Sequence, residues 1–133
     1  MKQEIKLLFV DDNETTMDLF MSMFKQLRPR WKFKGIRNSV HALNEIETIN
    51  YDAFLFDFYL EKNAQVTGAD LSYSARRMNP ESYIAIFTCH FDENGLFRNL
   101  KNDGIIQDVL KKPDSFEHVF NELINGMIKN GNF

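Results

Sequence analysis

The sequence predicts an α/β protein in which a parallel sheet is covered by helices on both faces. Short, nearly continuous apolar runs alternate with segments of helical periodicity, and this alternation occurs five times in 133 residues. Continuous apolar runs are typical of strands that are buried on both faces. Strands that alternate with helices are typically parallel and joined by right-handed crossovers, which gives a doubly wound sheet.

Five segments are predicted as strands. Residues 5–10, 53–56 and 83–87 are the nearly continuous apolar runs. Residues 31–36 alternate apolar side chains with lysines, which is typical of a half-exposed edge strand protected from pairing with another chain. Residues 105–110 form a weaker fifth strand.

Apolar spacings of three and four residues predict helices after the first two strands. On the first helix they select Met17, Phe20, Met21, Phe24 and Leu27. On the second they select Val40, Leu43, Ile46 and Ile49.

Three further helices follow the later strands. The third begins at a capping-box pattern, Thr67 followed by Asp70, and ends before Pro80. The fourth is predicted over residues 92–101. The fifth has Asp114 or Ser115 as its N-cap. Its apolar face comprises Phe116, Val119, Phe120, Leu123 and Met127.

Composition excludes several classes of protein. The length is that of one domain, over residues 1–133. The single cysteine, Cys89, cannot form a disulfide within the chain, which excludes a disulfide-stapled scaffold. The longest apolar run, residues 83–87, is far shorter than the roughly 20 residues of a membrane span. The first residues lack the apolar stretch of a signal peptide, so we expect a cytoplasmic domain.

Chemically active side chains follow four of the predicted strands. Asp11 and Asp12 follow the first strand, Asp57 the third, Thr88 the fourth and Lys112 the fifth. Because the carboxyl ends of parallel strands share one edge of the sheet, where ligands bind, we expect these side chains to meet there.

Such a set of groups is suited to handling a phosphoryl group. Clustered carboxylates repel one another unless a cation lies among them, and an oxygen-rich site suits Mg²⁺. Lys112 would then neutralise the phosphoryl oxygens, and Thr88 would donate a hydrogen bond to them. Asp57 is the candidate nucleophile, because it follows an apolar central strand and has no acidic neighbour. Each of these residues alone is more often a turn or surface residue, so the prediction depends on their joint occurrence.

Four segments, read in order, resemble the receiver domain (CheY-like) of two-component response regulators. They are LLFVDDN at residues 7–13, FLFD at 54–57, IFT at 86–88 and LKKP at 110–113. Their order, spacing and flanking strands match over residues 2–129. The resemblance implies a flavodoxin-like sheet with strand order 2-1-3-4-5.

The resemblance also implies a phosphoacceptor with defined site residues. Asp57 would accept phosphate from a histidine kinase or a histidine phosphotransfer protein, Lys112 would contact the phosphoryl group ahead of a cis peptide bond to Pro113, and Thr88 would move toward it. The implied Mg²⁺ ligands are Asp11, Asp12, Asp57 and the backbone carbonyl of Tyr59. The chain would not be an enzyme for a separate substrate, but would promote its own phosphorylation and dephosphorylation.

Phosphorylation would shift a conformational equilibrium that a downstream partner reads. The implied output face comprises the fourth helix, fifth strand and fifth helix, which is also a candidate surface for a homodimer. Val109 lies where receivers usually carry an aromatic residue, which turns inward when the threonine moves. We therefore expect the switch formed by Thr88 and Val109 to transmit phosphorylation to a partner differently from the usual threonine–aromatic pair. The bulky Tyr59 and His90 predict slow self-dephosphorylation.

Other functions remain open at this point. A flavodoxin-like cofactor protein would need a phosphate loop after the first strand, and a haloacid-dehalogenase-type phosphatase would need a second acid two residues after Asp57; both are absent from the sequence. A receiver-shaped interaction module that is not phosphorylated is the alternative. The basic residues in 25–37 are those of a solvated edge strand rather than a nucleic-acid site. Leu19 and Met23 are either docking anchors for a partner's helical bundle or ordinary exposed residues.

Overall fold

Strands and helices alternate along the chain as the sequence predicts. The computed structural model describes residues 4–61, 64–89, 94–112 and 115–131. The strands are β1 (Lys6–Val10), β2 (Lys32–Ile36), β3 (Ala53–Asp57), β4 (Tyr83–Thr88) and β5 (Asp108–Lys111). The helices are α1 (Glu14–Leu27), α2 (Ser39–Thr48), α3 (Gly68–Met78), α4 (Leu96–Asn102) and α5 (Phe116–Lys129).

The strands form one parallel sheet in the order β2-β1-β3-β4-β5. The predicted fold class and strand order are therefore confirmed. Helices α1 and α5 cover one face of the sheet, and α2, α3 and α4 cover the other. None of the helices in the described ranges combines the length and the apolar character that crossing a membrane requires.

The two faces of the sheet support two separate apolar cores. On the α1 and α5 side, the ring of Phe20 lies 4.9 to 5.4 Å from the rings of Phe9, Phe24, Phe87 and Phe116. On the other side, Ile46, Phe56, Leu71 and Ile86 belong to the second cluster. Strands β3 and β4 are buried along their whole length, which explains their continuous apolar runs.

The apolar stripe predicted for α2 is correct only in its middle. Ile46 is buried, but Val40 and Ile49 are 65% and 39% exposed, and Ala42 takes part in the core instead. A repeat of three residues drifts about 60° around a helix at each step, because each residue turns about 100°. Val40 therefore lies outside the face that Ile46 turns to the core, and Ile49 follows α2 as its C-cap with an extended backbone.

Two predicted boundaries are wrong. Helix α4 begins at Leu96 rather than at 92, because Gly95 before it has a φ of 69°, which a right-handed helix cannot include. Strand β5 begins at Asp108 rather than at 105, since the amides of Ile105 and Ile106 still bond to the carbonyl of Leu100 at the end of α4. Asp92 and Asp114 lie outside the described residues, and Ser115 is the N-cap of α5.

The edge strand β2 has the predicted protective charges. Lys32 and Lys34 are exposed and lie 3.4 and 3.0 Å from carboxylate oxygens of Glu4 and Glu45. Arg37 beyond the strand lies 3.7 Å from Glu14. These basic side chains are thus accompanied by acids from other elements, which favours the solvated edge strand.

Candidate functional site

Three carboxylates meet at the carboxyl edge of the sheet. Asp11 follows β1 and is fully buried, and Asp57 ends β3 and is 7% exposed. Asp12 is partly exposed beside them. One carboxylate oxygen from each residue lies within 4.8 Å of those from the other two. The structure therefore brings together the three acids that the sequence selected.

The backbone fixes the carboxylate of Asp11. Its Oδ1 accepts a hydrogen bond of 2.9 Å from the amide of Asn13, while its own amide donates to the carbonyl of Ile36, the last residue of β2. The side chain of Asn13 in turn caps α1 by accepting from the amide of Thr16. The turn from β1 into α1 thus holds the first carboxylate in place.

Lys112 provides the positive charge of the cluster. Its Nζ donates to Asp11 Oδ2 at 2.8 Å, lies 3.4 Å from Asp57 Oδ1, and lies 4.9 Å from the centre of the Phe87 ring. Its backbone amide donates to the carbonyl of Thr88, which continues the pairing of β4 with β5. The predicted lysine therefore reaches both buried carboxylates.

The charges in this cluster do not balance. Burial and the negative charges of Asp11 and Asp12 together raise the pKa of Asp57 to about 7, although Lys112 opposes the shift. Burial alone would lower the pKa of Lys112, but the hydrogen bond to Asp11 and the charge of Asp57 outweigh it and raise that pKa. Three carboxylates share one ammonium, so the cluster carries an excess of negative charge that a further cation would neutralise.

The donor set fits a small divalent cation. Mg²⁺ prefers oxygen ligands at about 2.1 Å, so the oxygens around one ion lie roughly 3 to 4 Å from one another. The three carboxylates already bring oxygens within 4.8 Å of one another. The carboxylates of Asp11, Asp12 and Asp57 are therefore close enough together to suit a small cation such as Mg²⁺.

The other predicted site residues have definite places in the structure. Thr88 ends β4 and is 1% exposed, at the same edge of the sheet as Asp57. Val109 lies on β5 opposite Ile86 and is partly buried against the second core. Tyr59 has an exposed side chain, whose ring packs edge-on against Phe58. His90 and Pro113, which entered the predictions about dephosphorylation and a cis peptide bond, lie outside the described residues.

Sequence reasoning missed two residues of the segment after Asp57. The Glu61 carboxylate accepts hydrogen bonds from the amide and hydroxyl of Ser39, at the start of α2. Gly68 begins α3 with its Cα against the backbone of Asp57 and Phe58. The capping box before Gly68 was a signal for the helix start, whereas nothing local marks Glu61, because its partner lies 22 residues away.

The fold is shared with solved structures, although no protein-family model and no curated protein matches the sequence. A CheY-like receiver domain protein from Methanospirillum hungatei has a TM-score of 0.81 at 15% identity, over 96% of this chain and 96% of that one. The receiver domain of a sensor histidine kinase from Pseudomonas aeruginosa, with a magnesium ion in its active-site cleft, has a TM-score of 0.73 at 19% identity, over 93% and 98%.

A third structure with a similar fold is named as an enzyme and not as a receiver domain. An adenylate cyclase from Rhodopirellula baltica has a TM-score of 0.80 at 16% identity, over 96% of this chain and 90% of that one. Similarity at this level of identity establishes architecture rather than activity. The chain therefore has the five-stranded fold of response-regulator receiver domains, as the resemblance in the sequence implied.

Proposed function

We propose that this chain is a phosphoacceptor domain of a two-component phosphorelay, in which Asp57 takes a phosphoryl group from a phosphohistidine. The donor would be a histidine kinase or a histidine phosphotransfer protein. The observation that most directly supports the proposal is the meeting of Asp11, Asp12, Asp57 and Lys112 at one edge of a receiver fold.

In the proposed reaction a carboxylate oxygen of Asp57 attacks the phosphorus atom. The bond between phosphorus and the imidazole nitrogen of the donor breaks, its electron pair goes to that nitrogen, and an acyl phosphate forms on Asp57. Lys112, with Nζ 3.4 Å from Asp57 Oδ1, is close enough to pair with a phosphoryl oxygen. The chain therefore acts as acceptor and supplies part of the charge stabilisation itself.

A cation completes this charge stabilisation. Asp11, Asp12, Asp57 and the backbone carbonyl of Tyr59 would hold Mg²⁺, which supplies positive charge to the phosphoryl oxygens. The raised pKa of Asp57, about 7, means that part of the population is protonated near neutral pH in the metal-free protein. The attacking carboxylate must be ionised, so a bound cation also favours the reactive form.

The output would depend on Thr88 and Val109. Thr88 is buried at the end of β4, within one residue of the register pair that joins Asp57 to Phe87. A shift of its hydroxyl toward the phosphoryl group would alter the packing of β4 and β5. We propose α4, β5 and α5 as the surface that transmits this change to a partner or to a second copy.

The alternative function is a receiver-shaped interaction module that is not phosphorylated. Val109 favours it, because an aliphatic residue occupies the position where an aromatic usually accompanies the threonine. The retained acids and Lys112 favour the phosphoacceptor, since buried charges that serve no purpose are costly to keep.

The test is phosphorylation by a small donor. The protein is incubated with Mg²⁺ and acetyl phosphate, and intact mass is measured; we expect the gain of one phosphoryl group. The variant Asp57→Asn should abolish it, whereas Asp103→Asn, at an exposed acid after α4, should leave it unchanged. The interaction module would be favoured if the wild-type protein stays unmodified and its amide NMR spectrum does not respond to Mg²⁺ with beryllium fluoride.

A further inference from the structure

The segment that follows Asp57 is anchored to two different helices. At one end, the carbonyl of Phe58 accepts a hydrogen bond of 2.9 Å from the amide of Gly68, the first residue of α3. At the other end, the carboxylate of Glu61 is bonded to Ser39, the first residue of α2. Tyr59 lies between these anchors, so the position of its carbonyl depends on both.

The anchor at Glu61 uses both of its carboxylate oxygens. Oε1 accepts from the Ser39 amide at 3.1 Å and from the Ser39 hydroxyl, and Oε2 lies 3.3 Å from the same amide. Burial alone would raise the pKa of Glu61, but the hydrogen bonds from Ser39 and from the backbone of Glu61 itself outweigh it and hold the pKa below its usual value. The contact is therefore between an ionised carboxylate and a residue that is almost completely buried.

The contact also completes the start of α2. The first amides of a helix have no partner within the helix. The Asn38 side chain accepts from the amides of Val40 and His41, and Glu61 accepts from a third amide, that of Ser39. A negative charge at this end of a helix is further stabilised by the helix dipole.

The anchor at Gly68 cannot move without disturbing Asp57. A Cβ on Gly68 would lie 2.6 Å from the backbone oxygen of Asp57 and 2.9 Å from the Cα of Phe58. Helix α3 therefore starts in direct contact with the last residue of β3. On the other side of Tyr59, the contact of Glu61 with Ser39 holds the segment together with Leu60, whose side chain is buried in the second core.

We propose that Glu61 is a positioning residue for the cation site, which holds the backbone carbonyl of Tyr59 in place through Ser39 of α2. This inference rests on the proposed function, because it takes the Tyr59 carbonyl as a ligand of Mg²⁺. Binding at the site and order at the start of α2 are then coupled, and the coupling is equal in both directions. Mg²⁺ should slow amide exchange at Ser39, Val40 and His41, and loss of the Glu61 contact should weaken Mg²⁺ binding.

The test compares Mg²⁺ affinity by titration calorimetry in four variants. Glu61→Ala removes every hydrogen bond between residue 61 and Ser39, and Glu61→Gln keeps one acceptor oxygen on the side chain. Ser39→Ala removes only the hydroxyl and serves if Glu61→Ala does not fold. Glu47→Ala is the matched control, because Glu47 is an acid of α2 whose carboxylate lies 3.9 Å from Arg77, away from the segment after Asp57.

We expect the dissociation constant for Mg²⁺ to rise about tenfold in Glu61→Ala, as is typical for partners that orient metal ligands. It should be partly restored in Glu61→Gln, raised less in Ser39→Ala, and unchanged in Glu47→Ala. At saturating Mg²⁺, the rate of phosphorylation by acetyl phosphate should equal that of wild type, since Asp57 itself has not moved. A residue that merely stabilised the fold would not produce this separation of affinity from rate.

Two results would overturn the inference, and they are distinguishable. If Glu61→Ala and Ser39→Ala bind Mg²⁺ as tightly as wild type, and Mg²⁺ does not alter exchange in the first turn of α2, Glu61 is only a helix cap and the proposed function stands. If wild type itself binds no Mg²⁺, both the proposed function and the role of Glu61 fail.

Discussion

Lys112 and Asp11 are 101 positions apart in the sequence, yet Nζ of the one lies 2.8 Å from Oδ2 of the other. Asp11 follows β1, the second strand across the sheet, and Lys112 follows the edge strand β5, with β3 and β4 between them. The lysine therefore extends over the ends of two strands to reach its partner. It joins the first and last strands of the chain at the site.

Replacing Lys112 should destabilise the metal-free protein. In Lys112→Met, Asp11 and Asp57 lose the ammonium that now lies between them. We expect the free energy of unfolding at pH 8 to fall by about 2 kcal/mol, less than for a fully buried pair because Lys112 is partly exposed. Urea unfolding followed by circular dichroism measures this. Lys111→Met, at the exposed neighbouring residue, should change it little, and an equal loss in both variants would contradict the role of the ammonium.

Asp57 should make the metal-free protein less stable as the pH rises. The pKa of Asp57 is about 7 in the folded state, against an ordinary value of 3.8 for an aspartate. The folded state thus holds its proton more tightly, so stability falls as the pH rises from about 4 to about 7. Between pH 5 and pH 8 the loss from this group should be about 2 to 3 kcal/mol.

Asp57→Asn tests this pH dependence directly. The variant should be more stable than wild type at pH 8, with a smaller advantage at pH 5, in urea unfolding without metal. The pKa of Lys112 is raised, so its titration lies at higher pH and does not affect this range. An advantage of the variant that is the same at both pH values would show that the carboxylate does not titrate there.

Gly68→Ala should lower the stability of the fold strongly for a substitution that adds one methyl group. The added Cβ would meet backbone atoms of Asp57 and Phe58, which cannot move aside without shifting β3. We expect a loss of about 1 to 3 kcal/mol in the free energy of unfolding. Gly35→Ala is the control, because its Cβ would meet the terminal atoms of the Met17 side chain, which can rotate away. A larger loss at Gly35 than at Gly68 would contradict this explanation.

Two serines of α3 should respond in opposite ways to replacement by alanine. Within the described part of the chain, the Ser74 hydroxyl is buried without a hydrogen-bond partner, whereas the Ser72 hydroxyl donates to the carbonyl of Gly68 at 2.7 Å. Ser74→Ala should leave stability unchanged or raise it slightly, and Ser72→Ala should lower it by about 1 kcal/mol. Urea unfolding of both variants provides the comparison; a loss for Ser74→Ala would reveal a hydroxyl partner.

Much of the fold was predictable because local patterns determine it. Strands buried on both faces require continuous apolar runs, and the capping box at Thr67 and Asp70 marks the start of α3 as predicted. The approach of Asp11, Asp12, Asp57, Thr88 and Lys112 followed from topology, because carboxyl ends of parallel strands share one edge. The same reasoning placed no weight on Glu61 or Gly68, since their importance depends on how closely α2 and α3 approach the segment after β3.

The errors arose where tertiary contacts outweigh local pattern. The stripe on α2 was assigned by spacing, but Val40 is exposed and Ile49 lies beyond the last helical residue, Thr48. The amides of Ile105 and Ile106 bond to Leu100, so an apolar pair that resembles a strand continues the turn after α4. Neither effect is visible in the apolar pattern alone.

The position of Trp31 decides which optical signals can report on this protein. It is the single tryptophan of the sequence, and its buried ring lies 6.0 Å from the ring of Phe33 and 5.9 Å from the guanidinium carbon of Arg28. Because it immediately precedes β2, it lies at the amino end of the sheet, opposite the carboxylates. Its emission should follow unfolding of the core but stay nearly constant during a cation titration, so a fluorescent reporter of site occupancy has to be introduced at the other end of the strands.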